Sequence, residues 1–187
     1  MSRAWFLAGL MLTVSTSAFG NSLDLSFNDD VARVGGAFSL SKDLELQASW
    51  LHNQDAGDVA AVGLFQVGFA SSGKQPIEAG LGAKLAFTDA ESRVGGGSGS
   101  SIAIGAFGRW KIPGADRVAL GGDLYLAPGV LSFSDQDGYR EASVYVSYDV
   151  LKSAWIYLGY RYLKVYYDSR PNVEFDDQFH LGFRLNF

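Results

Sequence analysis

The sequence offers two histidines that could act as general bases. His180 follows the alternation of the last segment and shares a face with Arg184. A catalytic histidine must reach the nucleophile that it activates, and no serine stands at a spacing that pairs with His180. His52, close to Ser49 and Asp55, stands where a predicted strand meets a loop. We therefore predict that neither histidine is catalytic.

Two loop motifs could bind a metal ion or a phosphate. Asp135-Gln-Asp137-Gly138 followed by Glu141 is similar to half of a calcium-binding loop, but the other ligands are missing and Asp-Gly is a common turn pair. Gly95-Gly-Gly97-Ser-Gly99 has no lysine after it, so it is typical of a flexible loop. We expect no metal site and no cofactor.

Composition narrows the function classes further. The 187-residue chain has no cysteine, which excludes disulfides, thiolate catalysis and cysteine-based zinc sites. Its net charge of -5 argues against a general nucleic-acid-binding role. Aromatic residues make up 14% of the chain, so it has enough apolar surface to fold.

The N-terminus has the features of a secretory signal peptide. Arg3 precedes the apolar run Ala4 to Val14, and Ala18-Phe-Gly20 places small residues where a signal peptidase cleaves. We predict that residues 1–20 are a signal peptide and that residues 21–187 form one domain. After residue 20 no apolar run is long enough for a membrane-spanning helix.

The rest of the chain alternates between apolar and polar residues. From Phe179 to Phe187 every odd position is a large hydrophobic residue and every even position is polar or glycine. Strand geometry directs these two sets to opposite faces of a sheet. Ten such segments are predicted, at residues 22–28, 31–39, 44–53, 58–70, 77–88, 100–112, 117–131, 139–151, 154–168 and 175–187.

The connections alternate between short turns and longer polar loops, with the short first hairpin as the exception. This is the arrangement of an outer-membrane barrel, which has short periplasmic turns and long outer loops. We predict an all-β, antiparallel, up-and-down transmembrane β-barrel of ten strands. Because residues 22–39 alternate weakly, eight strands plus an N-terminal segment is the alternative.

Strand charges concentrate on the polar face, and Lys164 is the exception. Periodicity alone fits a soluble sandwich equally well, but the signal peptide, the loop asymmetry and the chain terminus favour a membrane barrel. The polar face then lines the lumen, where we expect opposite charges to pair. The predicted lumen network is Asp24, Arg33, Glu45, Glu78, Lys84, Arg109, Lys111, Asp123, Glu141, Asp149, Arg161, His180 and Arg184.

Large aromatic residues near the strand ends predict girdles at the two membrane interfaces. These residues are Trp50, Trp110, Trp155, Tyr139, Tyr160, Tyr162, Tyr166 and Tyr167.

The C-terminal segment resembles the insertion signal of bacterial outer-membrane barrels. Its pattern has a polar residue, a glycine, hydrophobic residues and a terminal phenylalanine, here His180, Gly182, Leu185 and Phe187. The whole mature chain resembles the YfaZ family of small outer-membrane proteins. That resemblance is carried by Asn21-Ser-Leu-Asp-Leu25, Leu44-Glu-Leu-Gln-Ala-Ser-Trp50-Leu-His52, Gly57-Asp-Val-Ala60 and the Gly-Tyr-Arg161-Tyr stretch. It implies a barrel in the outer membrane of a Gram-negative bacterium and supplies no mechanism.

Two partners are expected from this location. The C-terminal strand is expected to engage the barrel-assembly machinery. The acidic loops are expected to meet outer-membrane lipid and lipopolysaccharide, with divalent cations shared between carboxylates and lipid phosphates. Residues 168–177 hold the densest group of acids for this purpose.

We expect a non-catalytic cell-envelope protein with a structural or interaction role and a largely filled polar lumen. A narrow channel for small solutes or ions is the first alternative, because charges in a lumen can also set selectivity. A lipid-modifying enzyme is the second.

Overall fold

The computed structural model describes residues 21–72 and 75–187, so the predicted signal peptide lies outside the described residues. Among the described residues no helix has the length and apolar character needed to cross a membrane. The strands are β1 (Asn21–Phe27), β2 (Val31–Ser41), β3 (Leu44–Asn53), β4 (Gly57–Ser72), β5 (Gln75–Ala90), β6 (Gly97–Lys111), β7 (Val118–Pro128), β8 (Ser132–Ser134), β9 (Gln136–Leu151), β10 (Ala154–Tyr167) and β11 (Val173–Asn186).

Ten of these strands close into an antiparallel barrel, as the alternation predicted. Each pairs with its neighbours in chain order, except that β7 pairs with β9, because the short β8 lies over the loop end of β6. The ring closes between β1 and β11, where Leu25 is opposite Phe183. At this seam Asn21 and Phe187 exchange two backbone hydrogen bonds of 2.9 Å.

The first hairpin decides between ten strands and eight. The Asn28 side chain accepts hydrogen bonds from the backbone N–H groups of Asp30 and Val31, at 3.1 and 2.7 Å. Asparagine stabilises tight turns in this way, so the weakly alternating residues 22–39 form β1 and β2. The eight-strand alternative is wrong.

The two faces of the wall have the polarity of a membrane barrel. In β1, Leu23, Leu25 and Phe27 are 41, 43 and 60% exposed, whereas Asp24 and Ser26 are 4 and 3% exposed. A soluble barrel would bury the apolar set in its interior. The outer face is therefore apolar and the interior carries the charges.

Irregular pairing moves some side chains away from their predicted positions. Opposite Leu163 and Lys164 the register of β11 shifts by one residue, and the resulting bulge turns both Phe175 and Asp176 into the interior. The prediction that Asp176 is one of the acids in or beside the long loops is wrong, because the bulge turns its side chain into the lumen.

Three of the predicted girdle aromatics also lie inside the barrel. Trp155, Tyr139 and Tyr167 are 8, 0 and 5% exposed, so their assignment to the interfaces is wrong. They occupy inward positions of their strands and fill the interior. Trp50 and Trp110 face outward and are 43 and 41% exposed, which fits the predicted girdles.

Candidate functional site

The interior of the barrel is the candidate functional site. None of the thirteen predicted lumen residues is exposed, and all lie on the inner side of the wall. Hydrogen bonds and ion pairs join most of them into clusters at different heights between the loop end and the turn end.

The first cluster surrounds Arg161 near the loop end. Its guanidinium donates to Asp176 at 3.1 Å and to Ser26 at 2.9 Å. The Asn28 amide donates to the other oxygen of Asp176 at 3.0 Å. The side chains of Arg161 and Asp176 are 4 and 0% exposed. Each oxygen of this buried carboxylate accepts one hydrogen bond, and removing either charge would leave the other unpaired.

The second cluster surrounds Glu141 on β9. The Lys84 ammonium and the Tyr139 hydroxyl both donate to the same oxygen of this buried carboxylate. The ammonium also lies 3.8 Å from the centroid of the Tyr125 ring and 5.4 Å from that of Tyr139. Cation–π contacts strengthen when water is excluded, so this ion pair is bound tightly into the aromatic packing around it.

The third cluster surrounds Asp24 on β1, in the middle of the barrel. Its oxygens accept hydrogen bonds from the Arg184 guanidinium at 2.9 Å and from the Tyr157 hydroxyl at 2.8 Å. Arg33 is 4.0 Å away on the opposite side. Asp24 therefore contacts a cation on each of the two strands that flank β1, which are β2 and β11. These contacts link the three strands at the closing seam of the barrel.

The fourth cluster lies near the turn end. Asp149 accepts hydrogen bonds of 2.6 Å from both Arg109 and Lys111. The Arg109 guanidinium lies 4.3 Å from the Trp155 ring, and that of Arg184 lies 5.6 Å from it. The indole is thus a stacking platform for two lumen cations.

The remaining three predicted acids lie on the lumen wall outside these clusters. Asp123 accepts a hydrogen bond from Ser143, and Glu45 accepts one of 2.7 Å from Gln47. Glu78 is opposite Arg109 on the neighbouring strand. In the described part of the chain none of the three belongs to an ion pair within 4.0 Å.

An apolar layer fills the lumen at the loop end. We call it the plug; its members are Leu51, Val59, Phe65, Tyr125, Tyr139, Leu163, Val165 and Phe175. The Phe65 ring packs edge-on against Phe107 at 5.7 Å and against Tyr125 at 5.8 Å. Tyr139, Val165 and Phe175 are fully buried. The wall residues Ala86 and Ala103 are small and buried, which gives these rings room.

A polar cavity lies beneath the plug. Its volume is about 470 Å³, and Asn21, Ser41, Lys42 and Asn186 surround its mouth at the turn end. Arg33, Lys84 and Tyr125 are among its innermost residues. We call this cavity the vestibule. Its mouth is on the side of the short turns, which face the periplasm in outer-membrane barrels.

His180 packs against neighbouring side chains and backbone inside the barrel. Its ring lies edge-on to Tyr157, with centroids 5.8 Å apart. A Cβ atom at Gly159 would come within 2.8 Å of its Nε2 atom, so the glycine makes space for the ring. His52 lies outside, where its Nδ1 is 2.9 Å from Asp58 and its ring stacks on Trp50.

The half calcium loop is dispersed by the fold. Asp135 pairs with Arg170 at 3.0 Å on the surface, whereas Glu141 lies in the lumen. Gln136, between the two aspartates, is buried and donates to Thr88 at 2.7 Å. In residues 21–72 and 75–187 no group of three or more histidine, aspartate or glutamate side chains could hold a metal ion.

Comparison with known proteins agrees with the barrel fold. The family model described as YfaZ precursor matches residues 4–187. The chain belongs to the YfaZ family. A relative, outer membrane protein YfaZ of Escherichia coli strain K12, is 34% identical over 165 residues, which cover 85% of this chain and 84% of the relative. This family and the barrel fold place the protein in the outer membrane.

Solved structures share the fold of this YfaZ family member at low sequence identity. The outer membrane protease OmpT from Escherichia coli is 11% identical with a TM-score of 0.50, covering 90% of each chain. A KdgM porin in complex with disordered oligogalacturonate is 11% identical with a TM-score of 0.45, covering 90% of this chain and 99% of its own. The likeness to OmpT concerns the fold alone.

The four insertion-signal residues occupy different faces of β11 and its end. His180 and Gly182 face inward, where a Cβ at Gly182 would lie 2.1 Å from the Tyr157 ring. Leu185 pairs with Leu23 of β1. Phe187 is 57% exposed at the turn-end rim.

Deleting Phe187 is expected to reduce the amount of folded barrel in the outer membrane several-fold, because the deletion removes the terminal residue of the insertion signal and both closing hydrogen bonds to Asn21. Heat-modifiable protein in outer-membrane fractions measures this amount. Asp135→Ala, which removes only the exposed pair with Arg170, is the control. Equal folded levels for the two variants would contradict the prediction.

Proposed function

We propose that this protein is a non-catalytic structural or interaction protein of the cell envelope, with a lumen closed towards the outside. The vestibule is then a blind polar cavity that opens only to the periplasm. The protein would add a rigid, non-conducting barrel to the outer membrane. Any soluble ligand would enter the vestibule from the turn end.

The single observation that carries this proposal is the burial of the plug. Phe65 is 1% exposed, and Tyr139, Val165 and Phe175 are fully buried. Water that crossed the lumen would have to touch these residues. The side chains of the Lys84–Glu141 and Arg161–Asp176 pairs, which lie beside the plug, are at most 7% exposed. Buried ions with complete partners rigidify a core and leave no charge free to attract a solute.

A narrow channel is the second candidate, and the vestibule favours it. A cavity of about 470 Å³ lined by arginine and carboxylate side chains would be a suitable entrance for small ions. Conduction would require the plug to move. A lipid-modifying activity has less support, because His180 is enclosed by Tyr157 and Gly159 and does not face the lipid.

The chain has no cysteine, so single introduced cysteines report which side reaches the vestibule. Ser49 lines the vestibule, and Ser169 is exposed in the loop between β10 and β11. The variants are placed in vesicles with mixed barrel orientations and treated with a small membrane-impermeant thiol reagent. We expect the labelled fraction of Ser49→Cys and the labelled fraction of Ser169→Cys to add up to about one. Each orientation presents only one of the two positions to the reagent.

An open lumen would give a different labelling pattern for Ser49→Cys. The reagent would then reach Ser49→Cys from both sides, so labelling would approach completion whatever fraction of Ser169→Cys is labelled. That outcome would refute the closed barrel and favour the channel. Labelling of both variants after detergent is added shows that each introduced thiol is reactive.

A further inference from the structure

Basic side chains on the described strands divide unevenly between the two faces of the wall. Six face the lumen: Arg33, Lys84, Arg109, Lys111, Arg161 and Arg184. Within residues 21–72 and 75–187, the strand bases that face outward are Arg140 and Lys164. Arg140 is exposed between the buried Tyr139 and Glu141, and Lys164 lies between the buried Leu163 and Val165. A base on the lipid-facing side is costly at the bilayer midplane and tolerated near its edges.

These two outward bases are direct neighbours. Arg140 of β9 and Lys164 of β10 are cross-strand partners. The Arg140 guanidinium lies 4.8 Å from the centroid of the Tyr166 ring, and the Lys164 ammonium lies 5.9 Å from it. The stacked ring restricts both cations to one small patch of wall. We call Arg140, Lys164 and Tyr166 the basic patch.

Two acids of β11 lie on one side of the basic patch. Glu174 of β11 accepts a hydrogen bond of 2.7 Å from Lys164, and Asp177 accepts one from Tyr160 lower on the wall. On its other side Arg140 is opposite Leu126 of β7, which is 45% exposed. The guanidinium therefore lies between an apolar side chain and an aromatic ring, on the side of the patch away from both carboxylates.

The height of the basic patch is that of the outer membrane interface. Below it the wall exposes apolar residues, among them Val144, Ile156 and Leu158. Lys164 follows Ile156 by eight positions. At about 3.3 Å per residue and a strand tilt of about 40°, this spacing raises Lys164 by about 20 Å, close to the height of the apolar band. The patch thus lies at the loop-end edge of that band.

Phosphate groups of the outer leaflet lie at this level. The lipid of that leaflet is lipopolysaccharide, whose lipid A portion carries phosphates beside its acyl chains. Arginine binds phosphate through two parallel N–H donors, and lysine adds a point charge. We propose that the basic patch binds a lipid A phosphate directly, while the acyl chains lie against the apolar wall below. No bridging divalent cation is then needed at this position.

The test measures binding of purified, folded protein in detergent to lipid A carrying both phosphates. We expect R140Q/K164Q to weaken binding about tenfold or more, since each charge-assisted contact to phosphate contributes substantially. The unaltered protein should bind lipid A without phosphates only weakly. Its affinity for that lipid should equal the affinity of R140Q/K164Q for lipid A with both phosphates. R140K/K164R keeps both charges and should bind within about threefold of the unaltered protein.

The matched control is R117Q/K152Q, which removes two exposed bases at the turn end and should leave lipid A binding unchanged. Unchanged binding by R140Q/K164Q, an equal loss in R117Q/K152Q, or equal binding of lipid A without phosphates would each overturn the proposal. Heat-modifiable mobility verifies folding before binding is measured. If R140Q/K164Q does not fold, the single variant R140Q, expected to lose several-fold in affinity, decides in its place.

Discussion

Replacing Arg161 with glutamine is expected to lower the free energy of unfolding by about 3–5 kcal/mol, because it leaves a buried carboxylate without its cation. That carboxylate, Asp176, is fully buried and would keep only the Asn28 amide as a hydrogen-bond donor from its present cluster. Urea titration in detergent or lipid, followed by heat-modifiable mobility, measures the effect.

Two further variants distinguish the cost of leaving a buried charge unpaired from the cost of losing an ion-pair contact. Adding Asp176→Asn to Arg161→Gln removes the unpaired charge, so the double variant should recover much of the loss. Arg93→Gln breaks the exposed loop pair with Asp55, in which both side chains are about 70% exposed, and should cost under about 1 kcal/mol. An equally small cost for Arg161→Gln would mean that water reaches the loop end of the lumen.

Replacing Phe65 and Tyr139 together with alanine is expected to turn a closed barrel into a conducting one. Phe65 borders the vestibule and Tyr139 lies in the fully buried part of the plug. Removing both rings opens space for several water molecules beside the charged Lys84 and Glu141 side chains, and such a polar space fills with water. Current steps in a planar lipid bilayer measure the result.

The matched control removes the same two residue types from the outer face. Tyr160 and Phe179 pack edge-on at 5.3 Å on the lipid side, and their double alanine variant should stay closed. Current steps in the outer-face control as well would show that conduction arises from general loosening of the wall. A folded but silent Phe65→Ala/Tyr139→Ala variant would mean that further plug residues suffice to close the lumen.

Alternation predicted the strands well because a barrel wall separates lipid from lumen at every second residue. The segments that predicted β3, β10 and β11 lie within two residues of the observed bounds at every end. β11 is longer at its start, by two residues, because its bulge lets pairing continue to Val173. The same bulge turns Asp176 into the lumen, which strict alternation does not predict.

The plug could not be predicted because both faces of β4, which contributes two of its members, are apolar. In β4 the inward Val59 and Phe65 alternate with the outward Val62 and Leu64, so hydrophobicity does not reveal which set faces lipid. Tyr139 is similar: it stands at a strand end where an interface tyrosine is common, but its inward position is set by the pairing of β9 with β10.

Which lumen charges form ion pairs depends on how the ten strands close into a ring. The spacing of the residues in the sequence does not predict this. Lys84 and Glu141 are 57 positions apart, and Asp24 and Arg184 are 160 apart. The alternation of inward and outward residues was enough to place each charge on the inner face. Its height on the tilted strands, and hence its partner and the vestibule below the plug, required the register of all ten barrel strands.

The central claim, a lumen closed towards the outside, is tested most directly by recording from the unaltered protein in a planar lipid bilayer. Insertion is verified independently by protein recovered from the bilayer lipid, and Phe65→Ala/Tyr139→Ala serves as the conducting comparison. The closed barrel predicts no unitary current steps in salt solution at any moderate voltage. Reproducible steps from the unaltered protein would contradict the account and assign the vestibule to a channel.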